Sequence, residues 1–415
     1  MQRKQSIIRD PVHGDITVPP DVRKIIDTRT FQRLRYIQQL ASCHYAFPAA
    51  THTRFSHSVG AFHLAQDLVG RLQRLYPGRI SNEDARLVTY GALLHDVGHP
   101  PFSHMLETPD VFATFHSHED WGRKLCEADD CDLKPALLEL VGEAGLERLF
   151  EIMAGRVELP ALHEIVSSQL DVDRLDYLLR DKLFTGVEIG GFDVERLFRS
   201  IRLTEDGHLA VGRDGLPIVE AYLVTRWHMY YLVYFHRVTM LTQVYYTRAL
   251  IRARQLAQSG SLELGPALHS ILFDQALQPR DYLRLIDAPL TGELFSWESH
   301  PDPELSGWAR RLSSRSNFHR RISGRGLGIS AARRVLPQLR ELIREAGFSS
   351  ERDLILARAR KRGYLPYQGG ILTEHGQDVR ELSKLVQALE GKIDEVMIFV
   401  PPSCVERCVS LLTSL

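Results

Sequence analysis

The sequence predicts a mainly α-helical protein: a helical bundle with a short N-terminal β hairpin or arm and a small C-terminal α+β appendage. Three observations carry that expectation. Apolar residues recur at helical spacing from about residue 21 to 255; β-branched residues flank the Asp-Pro and His-Gly turns of SIIRDPVHGDITVPP; and beyond about residue 333 a helical run precedes the strand-like EVMIFVP.

Taken in order, residues from about 5 to 20 form the hairpin or arm. In FQRLRYIQQL, Phe31, Leu34, Ile37 and Leu40 share one side while Gln32, Arg35 and Gln39 take another, which reads as a helix. HSVGAFHLAQDLVGRL, DARLVTYGALLHDVG and the long AYLVTRWHMYYLVYFHRVTMLTQVYYTRALIRARQLA read the same way. The region from about 260 to 330, rich in Ser, Gly, Pro and Arg, mixes short helices with loops. The helix AARRVLPQLRELIREAG, the strand EVMIFVP and the helix CVERCVSLL close the chain. There are no internal repeats. The expected division is 1–255 as a core with its arm, 256–332 as a helical and loop extension supplying oligomer contacts, and 333–415 as the α+β unit.

With 415 residues, one large domain plus a smaller one is expected. The 51 basic and 52 acidic side chains nearly cancel and form no long block, which argues against a dedicated polynucleotide binder. The basic piece SSRSNFHRRISGRG keeps a nucleic-acid contact open. Cys43, Cys126, Cys131, Cys404 and Cys408 form no CxxC pair, and their odd number fits a reduced compartment. No stretch approaches the roughly 20 apolar residues of a membrane span, and MQRKQSIIRDPVHGD lacks a signal-peptide core, so a soluble cytoplasmic protein is expected.

The chemistry is concentrated in LLHDVGHPPFSH. His95 and Asp96 end an apolar helical run, where two ionisable groups are costly to bury without compensation, and a metal supplies it. Imidazole with carboxylate suits Fe, Mn, Co, Ni or Zn. Further ligands are sought in His57 and in one aspartate of SSQLDVDRLDYLLRD. In that segment Leu170, Leu175, Leu178 and Leu179 make an apolar side, while Asp173, Arg174, Tyr177 and Asp181 line another. Arg226, Tyr230 and Tyr234 repeat the device four residues apart. Each polar face also has a plain reading as a solvated helix surface.

At these residues the chain resembles the HD-domain phosphohydrolases, and within them the deoxynucleoside triphosphate triphosphohydrolase branch. RDPVHGDI, IIDTRTFQRLRYIQQL, FPAATHTRFSHSVG, LLHDVGHPPFSHMLE, HSHED and LDVDRLDYLLRD occur in the family's order, over roughly residues 5 to 240. The resemblance implies an HD-domain bundle that cleaves a dNTP at the α-phosphorus, giving deoxynucleoside and inorganic triphosphate. It implies His57, His95, Asp96 and Asp173 as ligands of one divalent transition metal, with Asp171 a bystander, and Mg or Mn accompanying the phosphates. His104 and His118, with Glu119 or Glu107 behind them, become phosphate contacts and proton-transfer groups, supported by His99. Arg54, Arg174 and Arg226 match phosphate-binding positions; Gln39, Leu40, Tyr177, Asp181 and Tyr234 match the deoxyribose pocket. Arg174 stands where the human member has lysine, and Tyr230 where it has histidine, which leaves base preference open.

Human-type members are switched on by nucleotides at subunit contacts, and Asp27, Gln32 and Arg35 match residues used there. The resemblance therefore implies a homo-oligomer, dimer or tetramer, activated by dGTP or another dNTP. Ser6 replaces a lysine at that site, and the pairing around Arg315 and His319 is looser. Competing expectations are another HD phosphohydrolase acting on a monophosphate, phosphodiester or alarmone, and a nucleotide-sensing or nucleic-acid-binding scaffold. Three converging arginines favour a triphosphate over a monophosphate.

Overall fold

The computed structural model describes residues 5–108, 110–324, 326–362, 364 and 370–413; the side chains of His104, Arg362 and Lys392 lie outside that description. Strands β1 (Ser6–Asp10) and β2 (Gly14–Val18) pair antiparallel with Ser6 opposite Val18. Gly14, at φ 75°, lets the chain reverse there. Ile16 and Val18 are fully buried and anchor the hairpin to the helical core.

The core of the bundle is α1 (Arg54–Leu75), packed on α2 (Asn82–Leu94) and α5 (Val172–Thr185). Between these come α3 (His118–Glu127) and α4 (Leu133–Met153), the latter interrupted by Gly142 at φ 67°. Their starts are written locally. Ser81 caps α2 by accepting from Asp84 N, Ser117 and Asp120 form a capping box on α3, and Asp171 caps α5 by accepting from Arg174 N. Gly186, left-handed at φ 70°, ends α5.

FQRLRYIQQL departs from the expected helix. It is helical over Arg29–Gln32, tightens to a 3₁₀ turn over Arg33–Tyr36 and becomes extended at Ile37, with Gln38 bridged to Thr53. Its apolar residues recur every three positions, a period that a tight 3₁₀ turn satisfies, so Phe31, Leu34 and Ile37 are still fully buried. The long run after residue 216 is likewise two helices, α6 (Leu216–Met229) and α7 (Arg237–Gln258), joined by a widened π turn at Tyr230–Tyr234. His236 is extended there and caps α7 through Nδ1, accepting from Val238 N; neither Pro nor Gly marks the break. Two strands unforeseen in this helical region, β3 (Ile201–Leu203) and β4 (Leu209–Val211), form an antiparallel pair.

Beyond α7, short helices including α8 (Asp287–Ser296) and α9 (Pro303–Ser314) build a second apolar cluster around Trp308, Tyr245 and Tyr282. The chain ends in β5 (Arg320–Arg321), α10 (Ile329–Glu345), β6 (Ile355–Arg362), β7 (Leu372–Thr373), β8 (Lys392–Val400) and α11 (Val405–Thr413). Strands β5, β8 and β6 make an antiparallel sheet in that order, covered by α10 and α11, while β7 joins β4 in parallel. Among the described residues no helix is long and apolar enough to cross a membrane.

Candidate metal and substrate site

Arg54 opens α1 and His57 follows one turn later; both are buried. His95 and Asp96 sit at the C-terminal end of α2, and Asp173 in the first turn of α5. The packing of α1 between α2 and α5 brings these three segments together. His57 Nε2 lies 3.2 Å from His95 Nε2 and 3.1 Å from Asp173 Oδ1, and His95 Nε2 lies 3.5 Å from the same oxygen. Asp96 approaches with Oδ2 3.6 Å from His57 Nε2 and Oδ1 3.4 Å from His95 Nε2.

The other ring nitrogens are committed. His57 Nδ1 is 2.7 Å from Asp176 Oδ2, and His95 Nδ1 is 2.7 Å from the Ala92 carbonyl. With both Nδ1 atoms donating, the two Nε2 atoms and the carboxylate oxygens converge on one point, an arrangement that favours positive charge there, whether a proton on His57 or a metal ion in its place. Burial opposes protonation of His57, yet Asp173, Asp176 and Asp96 outweigh it and raise His57 to about 10. Burial opposes charge on Asp96 too, but Arg54, His95 and His99 hold its carboxyl well below the ordinary range. A divalent metal fits this donor set. His57, His95 and Asp173 form one group able to hold such an ion, and His99, Glu107 and His118 form another.

In the second group, His99 Nε2 is 3.2 Å from Asp96 Oδ1, and its ring stacks on His118 at 3.9 Å. His118 Nδ1 is 2.8 Å from Glu107 Oε1. Burial, reinforced by Arg54, holds His99 well below the ordinary histidine range and therefore neutral. Glu119 stands exposed in the first turn of α3, beside His118. The side chain of His104 lies outside the described residues.

From His57 a wall of phenols runs outward. The ring of Tyr177 lies 6.4 Å from that of His57, Tyr234 lies 6.3 Å beyond, and Tyr230 lies 5.1 Å from Tyr234. Tyr234 donates its hydroxyl to Asp181 Oδ2 at 2.7 Å, and His52 Nε2 meets Asp181 Oδ1 at 2.7 Å. Gln39 hydrogen-bonds through its backbone N to the His52 carbonyl, and its buried Oε1 has no partner among the described residues. Leu40, beside it, packs partly buried against the core.

The three expected arginines separate by partner. Arg54 binds Asp96 and, at 2.7 Å, Ser103 Oγ; Arg174 pairs with Asp171; Arg226 donates to Gln169 Oε1 at 2.9 Å. The sequence reading missed His52, Gln169 and Lys361. Lys361, from β6, places its ammonium 4.8 Å from the Tyr230 ring centre, and with Arg226 it lowers the Tyr230 pKa against the effect of burial. Nothing in the basic run ILARARKR singles out Lys361. Asp27, Gln32 and Arg35 lie together at the surface: Arg35 Nε donates to Gln32 Oε1 at 2.7 Å, and Arg23 Nε to Asp27 at 2.6 Å.

Two family models match the chain, an HD domain over residues 54–181 and an HD-associated region over 192–265. The uncharacterized protein YwfO of Bacillus subtilis is 32% identical over 406 residues, covering 94% of this chain and 90% of that protein. The chain belongs to the HD-domain phosphohydrolases. As an HD-domain protein with His/Asp groups able to hold metal, it is a metal-dependent phosphohydrolase. A phosphohydrolase of Bacteroides thetaiotaomicron, solved as a crystal structure, shares its fold at a TM-score of 0.82 and 28% identity, covering 96% of this chain and 100% of that one. Human deoxynucleoside triphosphate triphosphohydrolase SAMHD1 is 34% identical over 281 residues, 60% of this chain and 44% of the human protein, so this chain spans less than half of that relative.

Proposed function

We propose that this HD-domain protein hydrolyses deoxynucleoside triphosphates to deoxynucleoside and inorganic triphosphate, with His57, His95, Asp96 and Asp173 holding one divalent transition metal (Mn, Fe, Co, Ni or Zn). The observation that carries the reading is the tyrosine wall running from His57 to Asp181. It ends at a buried carboxylate held by Tyr234 and His52, and the backbone of that same His52 accepts from Gln39, whose buried Oε1 has no partner among the described residues. Such an end suits a hydroxyl-bearing sugar, and the cationic end suits phosphates. The name of the human relative points the same way.

In this reading Arg54, Arg174 and Arg226 neutralise the triphosphate, with Mg or Mn accompanying it. Asp181 and Gln39 hold the 3′-hydroxyl. Tyr177, with Leu40 and Tyr234 around it, packs against the sugar and leaves no room for a 2′-hydroxyl. The bound metal supplies polarisation of a phosphate oxygen and a lowered pKa for water. His118, oriented by Glu107 and stacked on His99, carries a proton to the leaving 5′-oxygen, and His104 and Glu119 are assigned to the same phosphate and proton work. Tyr230, beside Lys361, faces the base or the phosphates. The surface group Asp27, Gln32 and Arg35 binds an activating dNTP in a homo-oligomer.

The test is to supply each dNTP and NTP, singly and in pairs, and identify the products. Inorganic triphosphate with deoxynucleoside is expected, and a second dNTP should raise the rate. Release of orthophosphate or pyrophosphate with no triphosphate refutes the substrate assignment; a rate indifferent to a second dNTP, with a monomeric mass, refutes the activation.

A further inference from the structure

The RDPVHGD hairpin has no role in the reading above beyond packing, for which Ile16 and Val18 would suffice. It also drives two ionisable side chains inward. Asp10 is 4% exposed, and the side chain of His13 is 8% exposed. Burying such groups is costly unless they are paired, and here their ionic partners, Asp176 and Arg180, lie on α5. His13 Nε2 lies 2.7 Å from Asp176 Oδ1. Arg180, fully buried, donates Nε to Asp176 Oδ2 and Nη2 to Asp176 Oδ1, each at 2.9 Å. Its Nη1 reaches Asp10 Oδ2 at 2.8 Å. Asp10 in turn accepts from the backbone N of Val12 and of His13, which shapes the turn carrying the imidazole.

The remaining contact of Asp176 is with His57. Its two oxygens receive Arg180 twice, His13 once and His57 Nδ1 once, which fills the four acceptor positions of an ionised carboxylate. A carboxylate so saturated cannot rotate, and it can meet His57 only as an acceptor. His57 therefore carries hydrogen on Nδ1 and turns its Nε2 lone pair toward His95 and Asp173. Gly60, one turn along α1, makes room for the arrangement: a Cβ there would fall 1.9 Å from Asp176 Oδ1.

We propose that the N-terminal hairpin is the back wall of the metal site, with Asp10 and His13 acting as positioning residues that hold His57, through Asp176 and Arg180, in the tautomer and orientation that ligate a divalent metal. The inference rests on the reading of His57 as a ligand. It adds that a segment more than 40 residues ahead of the first ligand in sequence belongs to the metal centre. Partners of this kind change metal affinity by about 10- to 100-fold when removed.

The test measures manganese(II) affinity of the full-length chain, stripped with chelator, by equilibrium dialysis with metal quantified by mass spectrometry. Wild type is compared first with His57→Ala; equal binding by the two overturns the ligand reading itself. Given that difference, His13→Phe, which keeps an aromatic ring and removes the donor, should bind manganese about 10- to 100-fold more weakly. His13→Gln, which restores an N–H toward Asp176, should recover most of the loss, and Arg9→Ala, on the outer face of the same hairpin, should bind as wild type. Helical circular dichroism should be the same for all. Wild-type affinity in His13→Phe, or no recovery in His13→Gln, overturns the proposal while leaving the ligand reading intact. Asp10→Asn preserves the turn but takes the charge from Arg180, and it tests the same network should His13→Phe fail to fold. Its expected result is weakened manganese binding, and unchanged affinity overturns the proposal.

Discussion

Gly98 lies between the α2 metal segment and the start of α3, and its replacement by alanine should damage the site from behind. A Cβ at this position would lie 2.1 Å from the His118 carbonyl oxygen, 2.2 Å from Gly122 N and 2.8 Å from Gly122 Cα. Real Cβ contacts essentially never fall below 3.0 Å, and all three neighbours are backbone, so one of the two segments must retreat by about 1 Å. Gly98 has no left-handed φ; its closeness to α3 is what excludes a side chain. The retreat pulls His118 away from His99, on which it stacks at 3.9 Å. Overpacking of this kind costs about 1–3 kcal/mol of stability. A displacement of 1 Å in a catalytic group costs about 100-fold in rate. Gly98→Ala should therefore lose about two orders of magnitude in kcat for its best dNTP while remaining folded by circular dichroism. Urea titration should show the smaller stability loss. Gly292→Ala is the control: nothing lies within 4 Å of a Cβ there, the position is inside α8, and alanine should stabilise by up to about 1 kcal/mol with unchanged kcat. A Gly98→Ala enzyme with wild-type kcat and wild-type urea midpoint would refute the claim that the approach of α3 to Gly98 sets the catalytic geometry.

His95→Ala combined with Asp96→Ala should abolish metal content and turnover while leaving a helical protein, and retained metal with full activity would overturn the site assignment. Tyr234→Phe withdraws the hydroxyl that holds Asp181 at 2.7 Å. A hydrogen bond to a charged group contributes about 1.5–3 kcal/mol, so KM for dNTP should rise at least tenfold, read from initial rates; an unchanged KM would remove Asp181 from the sugar pocket. Asp302 caps α9 and is paired with Arg252, whose hydrogen bond holds the carboxyl down at about 2. Its folded pKa is below the unfolded value of about 3.9, so its contribution is full above that value and disappears as the pH falls toward 2. Asp302→Asn should flatten that part of a urea-stability profile against pH, and an unaltered profile would show that the pair contributes nothing.

Much of the fold was legible because its signals are local. The hairpin sequence carries its own turn residues, and of the C-terminal unit α10, β8 and α11 follow from segments each with a clear period, whereas β6 and β7 between them were not foreseen. Capping residues such as Ser81 and Ser117 sit where their helices begin. FQRLRYIQQL was misleading because a three-residue spacing serves a helical turn and a tight turn equally, and the choice was made by the pairing of Gln38 with Thr53. The run through Tyr230 carries no breaker, and its division comes from the extended backbone at His236.

The sequence by itself determined which side chains share a helix face. Asp173, Tyr177 and Asp181 are neighbours by the geometry of one helix, and His95 and Asp96 stand at the end of an apolar run whatever surrounds them. Tertiary structure alone decided which faces meet. His13 and Asp176 are 163 residues apart, and His52 and Asp181 are 129 apart, so no periodicity could pair them. The physical reason is that burial makes each of these ionisable groups costly until it finds a partner, and only the packing of the hairpin, α1 and the segment just before it against α5 supplies those partners at 2.7 Å.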